Sequence, residues 1–236
     1  MLKLDDISKK FGKITVLNKI TTDFEKGRIT SIVGPNGSGK TTIIKTILGL
    51  VKPDSGQILI NNQQINGSHQ YRQNIGYMPQ LSNFPENLKV YEVINMVSDL
   101  RGLKPQIDEK LLNSIKLNAE LNKGIKTLSG GNKQKLSAYL ALVFNPSFII
   151  LDEPTAGLDP VVSCSFKKRI LKERESGKTI ILTSHIMSEI EELSDNIIFL
   201  LEGRIVYSGS LEFLLASSGE DSLEVAVANM MDRSEE

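Results

Sequence analysis

The sequence predicts an α/β fold with a parallel-sheet core, an antiparallel β piece ahead of it and a helical piece inserted into it. Three observations carry that expectation. Short apolar runs rich in β-branched residues, Ile29-Thr30-Ser31-Ile32-Val33, Phe148-Ile149-Ile150-Leu151 and Thr179-Ile180-Ile181-Leu182-Thr183, have the length and composition of strands buried on both faces. The first leads straight into Gly34-Pro35-Asn36-Gly37-Ser38-Gly39-Lys40-Thr41-Thr42 and then into Ile43, Ile44, Ile47 and Leu48 at helical spacing, so the order is strand, glycine loop, helix. From Asn87 to Leu128 the pattern is that of helices alone.

The glycine stretch fits G-x-x-x-x-G-K-[ST], a pattern that cradles the phosphates of a nucleotide. Its context matters, because only between a strand and a helix do successive backbone N–H groups and the positive helix end converge on one anion. In that setting the Lys40 ammonium reaches the β- and γ-phosphates and the Thr41 hydroxyl ligates Mg²⁺.

The totals narrow the class. A chain of 236 residues can hold one α/β domain with a sizeable core, or one domain carrying a subdomain. Apolar residues make up 40% and charged residues 24%, the balance of a globular chain in water. Lys and Arg number 28, as do Asp and Glu, so no net field favours nucleic acid and none is expected as a partner. No apolar run approaches the roughly 18 residues of a membrane span, and the start Met1-Leu2-Lys3-Leu4-Asp5-Asp6 lacks a signal-peptide core, so a cytoplasmic location is expected. With one cysteine there is no internal disulfide, and His69 and His185 do not make a soft-metal cluster. Cys164 falls in an expected helix and reads as an inert packing residue.

In chain order, Leu2, Leu4, Ile7, Ile14, Val16 and Phe24 alternate as strands of an antiparallel edge broken near Lys9 to Lys13. Phe11 lies in that break, where a lone aromatic reads as a cap on the core. After the glycine loop and its helix, Pro53-Asp54-Ser55-Gly56 is a turn, Gln57-Ile58-Leu59-Ile60 a strand and Asn61-Asn62 a second turn. Ile75-Gly76-Tyr77-Met78-Pro79-Gln80 is a short strand stopped by proline. Val90, Val93, Ile94, Val97 and Leu100 form one stripe of a helix ended by Gly102 and Pro105, and a second helix from about Asp108 to Leu117 turns Leu111, Leu112 and Ile115 inward. Ser129 is the expected N-cap of a helix through Leu136, Leu140 and Val143. The strand at 148–151 ends in Asp152-Glu153-Pro154, two acids where open α/β sheets bind ligands. A basic helix from about Pro160 to Arg174, the strand ending at Thr183, His185, a helix carrying Ile186, Ile190 and Leu193, and a strand pair turning at Glu202-Gly203 complete the core. The tail from Ser217 is more polar, with one run Leu223-Glu224-Val225-Ala226-Val227.

Leu128-Ser129-Gly130-Gly131-Asn132-Lys133-Gln134 resembles the LSGGQ signature of ABC-type ATPases, and almost the whole chain follows that family's order of motifs. The resemblance implies a P-loop NTPase fold of the ABC ATPase kind: a RecA-like core, an N-terminal antiparallel β subdomain and a helical subdomain at about residues 87–144. Residues 1–216 would form the nucleotide-binding domain and 217–236 a short tail. It also implies ATP and Mg²⁺ as cofactors and ATP hydrolysis as the activity. Phe11 takes the place of the aromatic that stacks on adenine, usually tyrosine in the family, with Val16 beside it. Gln80 falls at the glutamine that reaches Mg²⁺ and the attacking water, Asp152 at the carboxylate that holds Mg²⁺ with Thr41, and Glu153 at the catalytic glutamate. Gly157-Leu158-Asp159 matches the D-loop and His185 the switch histidine. Those roles suit phosphoryl transfer, which needs positioning and charge neutralisation more than covalent help.

The same resemblance makes a second copy of the chain a partner. In relatives the Ser129 hydroxyl and the amides of Gly130 and Gly131 from one subunit cover the γ-phosphate held by the other. Asn132 stands where glutamine is usual and shortens a contact near the ribose. The helical insertion of relatives receives an integral membrane permease, here expected near Gln80 to Pro85 with Phe84 as an exposed anchor, which would place the chain peripherally on the cytoplasmic face of the (inner) membrane. The tail resembles that of ABC-2 exporters. Tyr77-Met78-Pro79-Gln80, Phe84-Pro85-Glu86-Asn87-Leu88 and Thr183-Ser184-His185-Ile186-Met187-Ser188-Glu189 are similar to the ATPase of the transporter that helps mature nitrous oxide reductase, a copper enzyme. A multidrug or other ABC-2 exporter, and a soluble ABC ATPase with a non-membrane partner, are the alternatives.

Overall fold

The computed structural model describes residues 1–65, 69–103, 107–220 and 222–232. Along the chain run β1 (Leu2–Phe11), β2 (Ile14–Phe24), β3 (Ile29–Val33), α1 (Lys40–Ile47), β4 (Ser55–Ile60), β5 (Gln63–Gln64), β6 (Ile75–Met78), α2 (Val90–Arg101) and α3 (Glu109–Ser114). There follow α4 (Gly130–Leu142), β7 (Phe148–Asp152), α5 (Pro160–Glu175), β8 (Thr179–Thr183), α6 (Met187–Leu193), β9 (Asn196–Leu201), β10 (Arg204–Ser210), α7 (Leu211–Ser218) and α8 (Leu223–Asp232). They group into two compact units, Met1–His69 with Thr179–Glu236, and Gln70–Lys178.

In the first unit β3 lies between β8 and β9, parallel to both, and β10 pairs antiparallel with β9. All five residues of β3 and of β8 are buried, including Thr30, Ser31, Thr179 and Thr183 among the apolar residues. A separate antiparallel sheet has the order β2-β1-β4-β5. Its first hairpin stays paired out to Phe11 and Ile14 across the Gly12-Lys13 turn, so Phe11 ends a strand instead of sitting in a loop break. Register shifts between Leu4 and Ile7 and on either side of Lys9 interrupt the period-two alternation, which is why the stretch reads as broken. Phe11 is 50% exposed and does not cap the core. Toward the chain's end, α6, α7 and α8 bring Ile190, Leu211, Leu214, Leu223 and Val227 onto Val33, Ile197 and Phe199. The apolar run at 223–227 is thus the first half of a packed helix.

In the second unit β6 and β7 pair in parallel, Ile75 opposite Phe148 through Met78 opposite Leu151. On α2, Val90, Val93 and Ile94 are buried, but Leu100 is 80% exposed. Leu100 lies at the margin of the apolar stripe next to the helix end, and Ser98 turns in to donate to the Leu103 carbonyl. Gly102 closes the helix in a left-handed conformation; Pro105, the other expected stop, lies outside the described residues. The following helix is shorter than its pattern suggests. It begins at the expected place, where Asp108 accepts from the Leu111 N–H at 2.9 Å, but ends at Ser114 because Lys116 takes a left-handed φ of 55°. Cys164 is exposed on α5, so the packing role expected of it does not hold.

A charged cluster ties α3 to α5. Glu173 is buried and accepts from Arg169 Nε at 2.5 Å, with Lys178 on its other oxygen, while the Arg169 guanidinium also bonds Asp108 at 2.8 Å. Removing one member of such a buried group leaves the others desolvated without compensation. Arg169→Met is expected to lower the unfolding free energy by about 3 kcal/mol, measured by urea titration.

Candidate functional site

Of the residues singled out in the sequence, Phe11, Val16, the loop at 34–42 and His185 fall in the first unit, and Gln80, Ser129 to Asn132, Asp152, Glu153 and Asp159 in the second. In the first unit the chain must pass from the buried end of β3 into α1 within six residues. A Cβ built on Gly34, where φ is 152°, would stand 2.0 Å from the carbonyl oxygen of Leu200, so no side chain fits there. Pro35, Asn36, Gly37 and Ser38 form the crest of the loop. Gly39 is the N-cap of α1 in a left-handed conformation without a side-chain cap bond, and the first turn, Lys40, Thr41 and Thr42, holds no acid. The helix therefore presents its first amides, and their partial positive charge, without a side-chain competitor. Lys40 Nζ folds back to donate to the carbonyls of Gly34 at 2.7 Å and Pro35 at 3.0 Å, which holds the ammonium over the loop.

The loop is laced to its surroundings through backbone. Gly203 N–H donates to the Ser38 carbonyl at 3.0 Å and Asn18 N–H to the Gly203 carbonyl at 2.8 Å. The Val16 carbonyl lies 2.9 Å from a Cβ built on Gly39, so β2 carries Val16 directly beside the loop. Gly203 has no motif to announce it; the tight β9–β10 turn was visible, its bond to the loop was not. Phe11, at the far end of β1, carries the Lys9 ammonium 5.4 Å from its ring centroid. His185 is exposed on the turn after β8. That turn is held from beneath: the Ser184 hydroxyl donates to buried Glu189 at 2.6 Å and accepts from the Ile186 N–H at 3.1 Å. Ser184 and Glu189 were not singled out by sequence, because a serine and an acid at a helix start look like ordinary capping groups.

In the second unit Asp152 ends β7 and is buried, and Glu153 follows with a left-handed φ of 55°. A non-glycine residue in that region costs about 1–3 kcal/mol and persists only where its surroundings impose it. Burial in β6 first, and the charge of Asp152 second, push the Tyr77 phenol up to about 12. Gln80 is exposed just beyond β6. Ser129 is the N-cap of α4 and accepts from the Asn132 N–H at 3.3 Å, so its hydroxyl proton remains to be donated outward. Gly130 and Gly131 form the first turn. A Cβ on Gly131 would stand 2.6 Å from the Gly157 carbonyl, so the signature helix packs backbone to backbone on the loop leading to Asp159. Asp159 in turn caps α5 through the Val162 N–H at 3.0 Å, and Lys135 from α4 approaches its other oxygen at 3.9 Å. That bond from Val162, ahead of the lysines nearby, holds the Asp159 carboxyl below its ordinary value.

The residues present fit a nucleoside triphosphate with its divalent cation. Ser38 Oγ is buried without a hydrogen-bond partner among the described residues, at the loop where a phosphate oxygen would accept from it. A glycine loop opening an uncapped helix, with acids at the end of a second buried parallel strand, defines a P-loop nucleotide-binding protein.

The chain belongs to the ABC transporter family, whose model, described as ABC transporter, matches residues 17–156. It is an ATP-binding subunit with ATPase activity, using ATP and Mg²⁺. It is 36% identical over 214 residues to the lantibiotic transport ATP-binding protein SrtF of Streptococcus pyogenes, covering 89% of this chain and 93% of that one. It is 34% identical over 226 residues to the Nod factor export ATP-binding protein I of Burkholderia lata, covering 93% and 74%. A solved ATP-binding subunit of an ABC transporter superposes with a TM-score of 0.91 at 28% identity, covering 98% of this chain and 99% of that one. A dimeric ATP-binding cassette in a post-hydrolysis state bound to ADP and Pi superposes with a TM-score of 0.79 at 27% identity, covering 89% and 99%.

The raised Tyr77 value has a measurable consequence. The phenol adds stability that is complete below its ordinary value of 10.0 and is lost as pH rises through about 12. Tyr77→Phe should flatten the fall of melting temperature over that window. Asp152→Asn should lower the phenol's titration only partway toward 10.0, since burial is the larger cause.

Proposed function

We propose that the protein is the motor of an exporter: two copies close around two MgATP, and hydrolysis drives an associated integral membrane subunit. The observation that carries the shared-site reading is the exposed Ser129-Gly130-Gly131 end of α4. It has no acid in its first turn, presents a hydroxyl proton and backbone amides, and is set rigidly on the Gly157 carbonyl. This is a surface made for an anion. Dimeric cassettes among the structural neighbours support the reading.

The first unit supplies the phosphate loop from Gly34 to Thr42, Lys40 for the β- and γ-phosphates, the Thr41 hydroxyl for Mg²⁺, Phe11 and Val16 for the base, and His185 as the switch. The second supplies Asp152 for Mg²⁺, Gln80 for the cation and water, Glu153 to take or orient the proton of the attacking water, and Asp159 with Ser129 to Asn132 facing the partner copy. Bound Mg²⁺ neutralises charge developing on the phosphate oxygens. The left-handed backbone at Glu153 turns its carboxylate away from the course the strand would give it, so two neighbouring acids take separate tasks.

No helix among the described residues is long and apolar enough to cross a membrane; in the proposed assembly the partner supplies the transport path and this chain sits on the cytoplasmic face. The docking segment we assign is Gln80 to Pro85. Phe84, expected as its exposed anchor, is half-buried, while Leu81 is 78% exposed and takes that role. The relatives named for lantibiotic transport and Nod factor export support an export function. The finer link to nitrous oxide reductase maturation rests on three short stretches of sequence, and the broader reading is the one adopted.

Glu153→Gln is expected to bind MgATP, hydrolyse it about 100-fold more slowly or worse, and elute as a dimer; a monomer at saturating ATP counts against the shared site. Lys40→Ala should abolish ATP binding in calorimetry. Leu81→Ser should weaken capture of the associated membrane subunit in a co-purification assay.

A further inference from the structure

The base-stacking role given to Phe11 leaves open what fixes its ring. Phe11 is the last residue of β1 and half exposed, and among the described residues no strand pairs with it on the β4 side. Pairing of β1 with β4 stops at Ser8 opposite Ser55, and the chain beyond β4 is the turn that carries Pro53 and Asp54. The ladder is continued there by a side chain. Asp54 N–H donates to the Ser8 carbonyl at 2.8 Å, and one carboxylate oxygen accepts from the Lys10 N–H at 2.7 Å. The other oxygen accepts from Lys9 Nζ at 2.9 Å, and that same ammonium stands 5.4 Å from the Phe11 ring centroid. The carboxyl is held below its ordinary value by the Lys9 bond first and the Lys10 N–H next.

An exposed ion pair adds little to stability, so the consequence of this arrangement is geometrical. We infer that Asp54 is a positioning residue for nucleotide binding: it pins the end of β1 and holds the Lys9 cation against Phe11, which presents the ring to the purine. The inference rests on the reading of Phe11 as the base platform. It deepens that reading by naming a remote carboxylate, from the turn after α1, on which recognition of the base depends. Phosphate binding, which belongs to the loop at 34–42, does not depend on it.

The test separates the two ends of the nucleotide in the full chain. Asp54→Ala should raise the Kd for MgATP about threefold to tenfold, the cost of ordering one loosened side chain on binding, while the Kd for Mg-tripolyphosphate, which has no base, stays within about twofold. Lys9→Gln, which keeps the Asp54 bonds to Ser8 and Lys10, should show the same split, so the outcome does not hinge on the turn surviving. Equal weakening of both ligands by both variants would reduce Asp54 and Lys9 to general supports and overturn the inference. So would unchanged ATP affinity in both variants alongside weakened ATP binding by Phe11→Ala. If Phe11→Ala itself leaves ATP affinity unchanged, the platform reading fails and the inference falls with it.

Discussion

A side chain at position 34 cannot exist beside the carbonyl oxygen of Leu200, and the arrangement of the first unit follows from that exclusion. The close approach lets the end of β3 and the end of β9 share one level, from which the loop turns over into α1. Lys40 then reaches back to the carbonyls of Gly34 and Pro35. Gly203, in the turn after β9, reaches the Ser38 carbonyl on one side and Asn18 of β2 on the other. Main-chain bonds thereby fasten the antiparallel sheet to the phosphate loop. Val16, which belongs to that sheet, owes its place beside the loop to a contact no side-chain pattern encodes.

What could be read in the residues divides along this line. Buried parallel strands announce themselves through composition, so β3, β7 and β8 lie where their apolar runs put them. Helix starts marked by a capping side chain were equally plain, as at Ser129 and Asp108. Features decided by backbone conformation were not. Nothing in the letters Asp152-Glu153 signals that the second residue turns left-handed, and Lys116 ends α3 early by the same kind of dihedral. Bulges in β1 imitated a loop and misplaced Phe11. Exposure at the margins of a stripe also escaped: Leu100, Cys164 and Phe84 sit at positions where a few degrees of helix phase or one loop contact decide between inside and outside.

The second unit shows a different economy of means. Its α3 is too short to be stable alone, and it is held by the cap at Asp108 and by Arg169 reaching from α5. By resemblance Gly157 and Asp159 would belong to the D-loop; in this chain they build local structure, Asp159 as the cap of α5 and Gly157 as the surface on which α4 rests. A substitution at Asp159 therefore loosens the start of α5, and one at Gly157, held at a φ of 74°, strains the loop on which α4 rests.

Ser129 illustrates how far residue preferences at helix ends can be trusted. Aspartate and asparagine satisfy a first-turn amide as well as serine does, so stability alone would accept any of the three at this position. The Ser129 hydroxyl takes the Asn132 N–H and keeps a proton to offer a neighbour, which an ionised aspartate, an acceptor only, cannot do. An aspartate would hold the helix equally well but, in the proposed pairing of two copies, would turn a negative charge toward the other copy's triphosphate, so that foldability and alliance between subunits would there obey separate rules.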